Sequence, residues 1–266
     1  FSLSENFMIN SKRNIKRCAA VYLPGKFCGV VYGIKIIVKE SSGMPPASLI
    51  LLYHLIFKNK REEKSLNEII HRNDFLLKSP LKEEIRTVQL NLGARCNQTC
   101  RHCHINAGPK RTETMNISVI DRAFELIKKH VSIKTLDLTG GAPELNPHFR
   151  SIIERAYELD IEIIDRNNLT VLFEKGQEYL PRFLAEHRVT IIASLPCYGK
   201  ENVDFQRGLN IFEKSIHALK ILNNLGYGKK DTGLTLDLVY NPRGAALPGN
   251  QQELENDYHK QLYDNY

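Results

Sequence analysis

An α/β fold built on a parallel sheet is what the sequence predicts, on three observations. From Glu63 onward, short apolar stretches of strand type alternate with longer stretches of helical period. The strand candidates are five: Thr87 to Leu92, Thr135 to Leu138, Ile161 to Asp165, Val189 to Ser194 and Leu234 to Tyr240. The residues of unusual chemistry fall just after these strands, on the rim where open α/β folds bind ligands. Five such strands suit either a doubly wound sheet or an open α/β barrel, and both are carried forward.

The helices are expected between the strands. Val119, Ile120, Ala123, Phe124 and Ile127 recur at helical spacing after a candidate cap at Ser118. A second helix is expected to open at Asn146-Pro147 and to bury Phe149, Ile152, Ile153 and Ala156. A third covers about Gln177 to His187, and a fourth carries Ile216, Leu219 and Leu222 before stopping at Gly226. Residues 1–63 resist this treatment. They hold a basic start, a β-like stretch from Val30 to Val38, a turn at Ser41 to Pro46 and an apolar run from Leu49 to Phe57, and no function is assigned to them.

A chain of 266 residues suits one large α/β core with an appendage. Hydrophobic residues at 42% and charged residues at 25% are ordinary for a globular protein. The net charge of +7 is scattered rather than drawn into a basic stripe, so nucleic acid is not expected as a partner. No membrane association is expected either, since the Leu49 to Phe57 run is far short of the ~20 residues a spanning helix needs. The chain opens on Phe1, as expected of a fragment or a processed form.

Three of the six cysteines, Cys96, Cys100 and Cys103, sit in the loop after the first strand with C-x3-C-x2-C spacing. Cysteines so close together bridge poorly, and the pattern indicates a metal site in a reducing, intracellular and most naturally cytoplasmic compartment. Soft thiolates suit iron-sulfur clusters. Three ligands leave one iron of a 4Fe-4S cluster open, and an open iron can chelate S-adenosylmethionine and place its sulfonium for reductive cleavage. Two other readings stay open. One is a zinc site that adds His102 or His104 to the cysteines; the other is an electron-transfer cluster with distant Cys197 as fourth ligand.

The remaining candidates lie on the same rim. Thr139, Gly140, Gly141, Ala142 and Glu144 follow the second strand, where the glycines permit close backbone approach and Glu144 offers an acceptor to a charged amino-acid group. Asn168 and Ser194 end later strands and are candidates for the ribose or the substrate, with ordinary turn capping as the alternative. Cys197 is a further rim thiol, read either as a catalytic, substrate-handling residue or as a small buried side chain.

The blocks NLGARCNQTCRHCHINAGPKRTE, LDLTGGAPELNPHFR, DRNNLTVLFEKGQE, ASLPCYGKENVDFQRG and LVYNPRGAALP closely resemble the arsenosugar-biosynthesis radical SAM proteins, from about Leu66 to the C-terminus. The resemblance implies a partial (β/α)6 TIM-like barrel. It implies that Cys96, Cys100 and Cys103 hold a 4Fe-4S cluster and that the Thr139 to Glu144 segment receives the methionine amino group. It further implies that the His102 backbone meets adenine, and that Ser194 and the end of the fifth strand line the nucleoside. The implied reaction is transfer of a deoxyadenosyl group from S-adenosylmethionine to a methylated arsenic species, with an electron donor such as a flavodoxin or ferredoxin. Another radical SAM reaction, with hydrogen abstraction from a peptide or metabolite, is the enzymatic alternative, and an inactive metal-binding remnant is the other. Two departures stand out. Asn167 occupies a position where the family commonly has cysteine, and Tyr266 falls inside the helix expected after the fifth strand. On this reading residues 64–266 form a truncated core domain that lacks a sixth strand and a cysteine-bearing C-terminal domain.

Overall fold

The computed structural model of the chain describes residues 33–37, 85–243 and 249–266. The basic start, the turn at Ser41 to Pro46 and the apolar Leu49 to Phe57 run lie outside the described residues. Six strands form one sheet in the order β1-β2-β3-β4-β5-β6: β1 (Gly33–Ile37), β2 (Thr87–Asn91), β3 (Thr135–Thr139), β4 (Glu162–Asp165), β5 (Thr190–Ser194) and β6 (Leu236–Val239). From β2 to β6 every pairing is parallel, whereas β1 runs antiparallel to β2 on the outer edge. The five parallel strands are the five expected. The segment 1–63, which had no assignment, therefore supplies an edge strand to the core sheet.

Strand order separates the two architectures left open above. A doubly wound sheet reverses its order at a switch point, whereas a barrel adds each strand beside the last. The order here is sequential throughout the parallel strands, which is the winding of a partial (β/α) barrel. Side chains alternate between faces along each strand. Val88, Leu90, Leu136, Leu138, Ile163, Ile191, Ala193 and Leu236 share one face and are buried. Gln89 and Asp137 fall on the other face, where Gln89 Nε2 donates to Asp137 Oδ2 at 2.7 Å.

The helices are α1 (Ile117–Lys129), α2 (Phe149–Glu158), α3 (Leu180–Glu186), α4 (Lys200–Arg207), α5 (Ile211–Asn224) and α6 (Gln251–Asn265). Helix α1 is capped by Asn116, not Ser118: Asn116 Oδ1 accepts from Val119 N at 3.1 Å, and Ser118 Oγ donates to the same oxygen at 2.8 Å. Helix α2 buries the four residues expected of it. It starts later than Asn146, whose amide instead donates to Leu92 O at 3.0 Å, Thr114 Oγ1 at 2.8 Å and Met115 O at 3.1 Å. That side chain ties the β3 rim to the far end of the loop leaving β2. Helix α3 is shorter than the expected Gln177 to His187. Helix α5 ends before Gly226, which takes φ +105°, the left-handed geometry of a C-terminal cap. Helix α6 follows β6, as expected of the segment running up to Tyr266.

Candidate functional site

The loop leaving β2 folds back on itself rather than running free. Ala94 N donates to Glu113 O at 3.0 Å, Cys96 N to Gly108 O at 3.2 Å and Gly108 N to Ala94 O at 3.1 Å. This frame holds Cys96, Cys100 and Cys103, all with free thiols. Cys96 is buried, and its sulfur accepts from Gln98 N at 3.4 Å and Asn168 Nδ2 at 3.6 Å. Cys100 donates to Gln98 Oε1 at 3.2 Å, and Cys103 accepts from Ala107 N at 3.3 Å.

Burial pushes the Cys96 thiol up to about 11, and burial raises Cys100 as well, against the lowering effect of Arg207. These thiols keep their protons unless positive charge arrives to displace them, as metal does on binding. Among the described residues no three His, Cys, Asp or Glu side chains stand where they could hold a metal ion.

The glycine turn after β3 lies directly on this frame. Gly141 N donates to Gly93 O at 2.9 Å and Ala142 N to Arg95 O at 2.8 Å. A Cβ on Gly141 would stand 2.3 Å from Arg95 O, and one on Gly140, at φ +141°, would stand 2.7 Å from Gly93 O. The glycines are therefore required by backbone packing, which narrows the expectation that this turn offers its N–H groups to a ligand. Those of Gly141 and Ala142 are already engaged. Ala142 is buried, while Thr139 and Gly140 remain half-buried on the rim.

Glu144 and Asn168 are both buried. Glu144 is only 2% exposed and faces the interior beside Asp165; its Oε1 accepts from Asn167 Nδ2 at 2.6 Å, while its buried Oε2 takes no donor among the described residues. Burial, then the charge of Asp165, raises its carboxyl well above the ordinary range. Asn168 Nδ2 donates to Asn97 Oδ1 at 2.7 Å and to Cys96 Sγ, while its Oδ1 caps the following turn by accepting from Val171 N at 2.9 Å. Every polar atom of that side chain is in use. It orders the cysteine loop.

Ser194 ends β5 half-buried, with its N–H donating to Asn167 O at 2.9 Å. His102 is exposed on the cysteine loop, and partial burial together with Arg207 and His104 lowers its imidazole. Cys197 is half-buried in the loop after β5, with its sulfur accepting from Gly199 N at 3.4 Å. Among the described residues it shares no hydrogen bond with the cysteine loop.

Sequence reasoning missed Arg207, at the end of α4. Its side chain is 4% exposed and donates to Gln98 Oε1 from Nε at 3.2 Å and from a terminal nitrogen at 3.0 Å, to Asn168 O at 3.4 Å and to Ser194 O. None of these partners is a carboxylate. A buried guanidinium held only by neutral groups calls for an anion, and Cys100 and Cys96 can supply it, since as thiolates they would oppose the lowering of its pKa by burial. Free thiols in one loop, two of them beside a buried cation, fit a thiolate-held metal cluster, whose ligands carry negative charge.

Residues 90–240 match the sequence model of the Radical SAM superfamily. The match covers more than half of the chain, which belongs to the radical SAM superfamily. Members of that superfamily use a 4Fe-4S cluster and S-adenosylmethionine. Among individual proteins, the chain is 28% identical over 138 residues to the putative peptide biosynthesis protein YydG of Bacillus subtilis, covering 51% of this chain and 42% of that one. It is 22% identical over 133 residues to the antilisterial bacteriocin subtilosin biosynthesis protein AlbA of the same organism, covering 50% and 29%. It is 24% identical over 146 residues to a probable GTP 3',8-cyclase of Pyrococcus abyssi, covering 55% and 46%. The match thus spans less than half of each relative. The crystal structure of Streptococcus suis SuiB superposes with a TM-score of 0.51 at 15% identity over 79% of this chain and 44% of that one, which shows the shared fold. No helix among the described residues is long and apolar enough to cross a membrane.

Proposed function

We propose that the chain holds a 4Fe-4S cluster on Cys96, Cys100 and Cys103 and cleaves S-adenosylmethionine reductively at the open iron. The observation that carries this reading is that Cys96, Cys100 and Cys103, all free, share one folded loop, with Cys100 and Cys96 beside the buried cation of Arg207. When bound, such a cluster supplies one electron to the sulfonium and so releases a deoxyadenosyl radical. The chain's own residues do the rest. Gln98 and Asn168 orient the sulfurs, and Arg207 balances their charge from the α4 side. Thr139 and Gly140 offer rim acceptors for the methionine amino group, while Ser194 and the His102 backbone flank the nucleoside.

For the substrate, the sequence blocks quoted above support a methylated arsenic species that receives the deoxyadenosyl group in arsenosugar biosynthesis. Cys197 is a soft donor suited to trivalent arsenic. A second reading, modification of a peptide, is favoured by the similarity to the peptide biosynthesis protein YydG and the bacteriocin biosynthesis protein AlbA and by the solved complex of SuiB with the precursor peptide SuiA, 16% identical to this chain with a TM-score of 0.51 over 78% of it and 44% of that chain.

Anaerobic reconstitution tests both levels. The expected result is about four irons per chain, a spectrum that changes when S-adenosylmethionine is added, and loss of both on Cys96→Ala. Protein that holds zinc, or iron indifferent to S-adenosylmethionine, sinks the cluster assignment. With dimethylated trivalent arsenic present, a deoxyadenosyl-arsenic adduct is expected. Free 5'-deoxyadenosine and no adduct removes the arsenic reading and leaves the peptide one.

A further inference from the structure

We infer that Gln206 is a positioning residue for the bound nucleoside, acting through Asn241, an inference that rests on the S-adenosylmethionine reading above. Gln206 lies in the last turn of α4 with its side chain buried. Its backbone carbonyl accepts from Arg101 N at 2.9 Å, which ties down the cysteine loop between Cys100 and Cys103. Its two neighbours in the chain hold the same turn in place. The Phe205 ring carries the guanidiniums of Arg101 and Arg243, 4.4 Å and 4.2 Å from its centroid. Arg207 reaches the segment after β4 through Asn168 O and the end of β5 through Ser194 O.

From this fixed turn the Gln206 side chain clasps the residue just past β6. Its Nε2 donates to Asn202 Oδ1 at 2.8 Å and to Asn241 O at 3.1 Å, while its Oε1 accepts from Asn241 Nδ2 at 2.9 Å. A main-chain carbonyl can only accept, so the Gln206 amide must present its nitrogen to Asn241 O and its oxygen to the Asn241 side chain. One orientation then remains for the Asn241 amide, with nitrogen toward Gln206 and oxygen away from it. Asn241 N also donates to Pro196 O at 3.1 Å, which holds its backbone from the β5 side. Asn241 is half-buried, and among the described residues its Oδ1 meets no donor. The clasp thus gives this part of the rim a fixed polarity. It offers an acceptor to a hydrogen-bond donor of the ligand, the adenine amino group or a ribose hydroxyl. A freely turning asparagine would present either end and would lose that freedom on binding. Because Gln206 holds the cysteine loop by its main chain and the β6 rim by its side chain, one helical turn sets the spacing between the two.

The test measures affinity in the full chain in two forms: S-adenosylhomocysteine on the cluster-free protein by calorimetry, and S-adenosylmethionine on the loaded protein by its spectral change. Asn241→Ala removes the acceptor and is expected to weaken both about fivefold. Gln206→Met keeps the acceptor but frees its orientation, and is expected to weaken both about threefold. The double variant is expected to match Asn241→Ala alone, because Gln206 reaches the ligand only through Asn241. Losses that add in the double variant mark a general loosening of α4 and overturn the proposal. Unchanged affinity in Asn241→Ala overturns it too, as does a parent that binds no nucleoside in either form. S-inosylhomocysteine and the 2',3'-dideoxy analogue identify the donor, since the one lacking it should bind parent and Asn241→Ala equally. Sensitivity to Asn241→Ala retained with both analogues counts against the contact. A parent that binds S-adenosylhomocysteine with this dependence yet takes no cluster sinks the cluster assignment and leaves the role of Gln206 standing.

Discussion

Asn167 donates one side-chain nitrogen to two buried carboxyls, Glu144 Oε1 at 2.6 Å and Asp165 Oδ2 at 3.1 Å, while its Oδ1 accepts from Leu169 N at 2.6 Å. Leu169 takes φ +67°, so this bond fixes a strained turn that delivers Asn168 to Cys96. The side chain thus joins the acid pair behind β4 to the cysteine loop. Asn167→Cys leaves two buried carboxyls without their donor. The expected cost is roughly 1–3 kcal/mol, read as a lower midpoint in guanidinium chloride. A variant as stable as the parent removes this role.

The acid pair predicts how stability varies with pH. Burial is the main cause that pushes Asp165 up to about 6, and Glu144 is raised well above its ordinary 4.5 by burial and by Asp165. Each can donate to the other while one keeps its proton. In the unfolded chain both ionise near pH 4, so above that pH the folded state binds more protons than the unfolded one. Stability is therefore full below about pH 4 for this pair, falls as pH rises toward 6 and falls further as Glu144 ionises. Chemical denaturation between pH 5 and pH 8 is expected to show a declining midpoint, and Glu144→Gln is expected to flatten the decline. Parallel profiles for the two proteins would count against the shared proton.

Particular residues show why part of this was legible and part was not. The five parallel strands and the buried face of α2 follow from local apolar period, which needs no knowledge of distant neighbours. Helix α4 gave no such signal, because its buried residues are Val203, Gln206 and Arg207 and two of these three are polar. Arg207 was missed with it. The direction of Glu144 is set by Asn167, a contact 23 residues away in sequence that no local pattern shows. The Asn116 cap was displaced by two residues since Asn and Ser both cap well, and only the hydrogen-bond geometry separates them.

The turn after β3 supports a sharper steric prediction. Gly141→Ala sets a Cβ 2.3 Å from Arg95 O, against backbone and not against a flexible side-chain tip. Either the turn or the cysteine frame must move, at about 1–3 kcal/mol. The variant is expected to lose stability and to retain less iron after reconstitution. Gly176→Ala is the control for backbone effects alone, since its positive φ of +86° is strained by a side chain but a Cβ there meets nothing within 4 Å. Equal iron retention in both variants would show that the Gly141 contact does not shape the loop.

Arg207 separates charge balance from folding. Its guanidinium is desolvated and has no carboxylate partner, so Arg207→Met removes a charge that is costly to bury and replaces it with an apolar chain of similar reach. Apo stability is expected to stay within about 1 kcal/mol of the parent, because the lost hydrogen bonds to Gln98, Ser194 and Asn168 are offset by relief of desolvation. The loaded protein is expected to respond differently. Reduction adds a negative charge beside Cys100, and without Arg207 that charge stands uncompensated in a buried site, so the midpoint potential should drop by about 60 mV or more, tenfold in the one-electron equilibrium. A redox titration followed by paramagnetic resonance reads this directly. A potential unmoved by the substitution would place Arg207 among residues that merely fill α4's buried face, whatever the variant does to turnover.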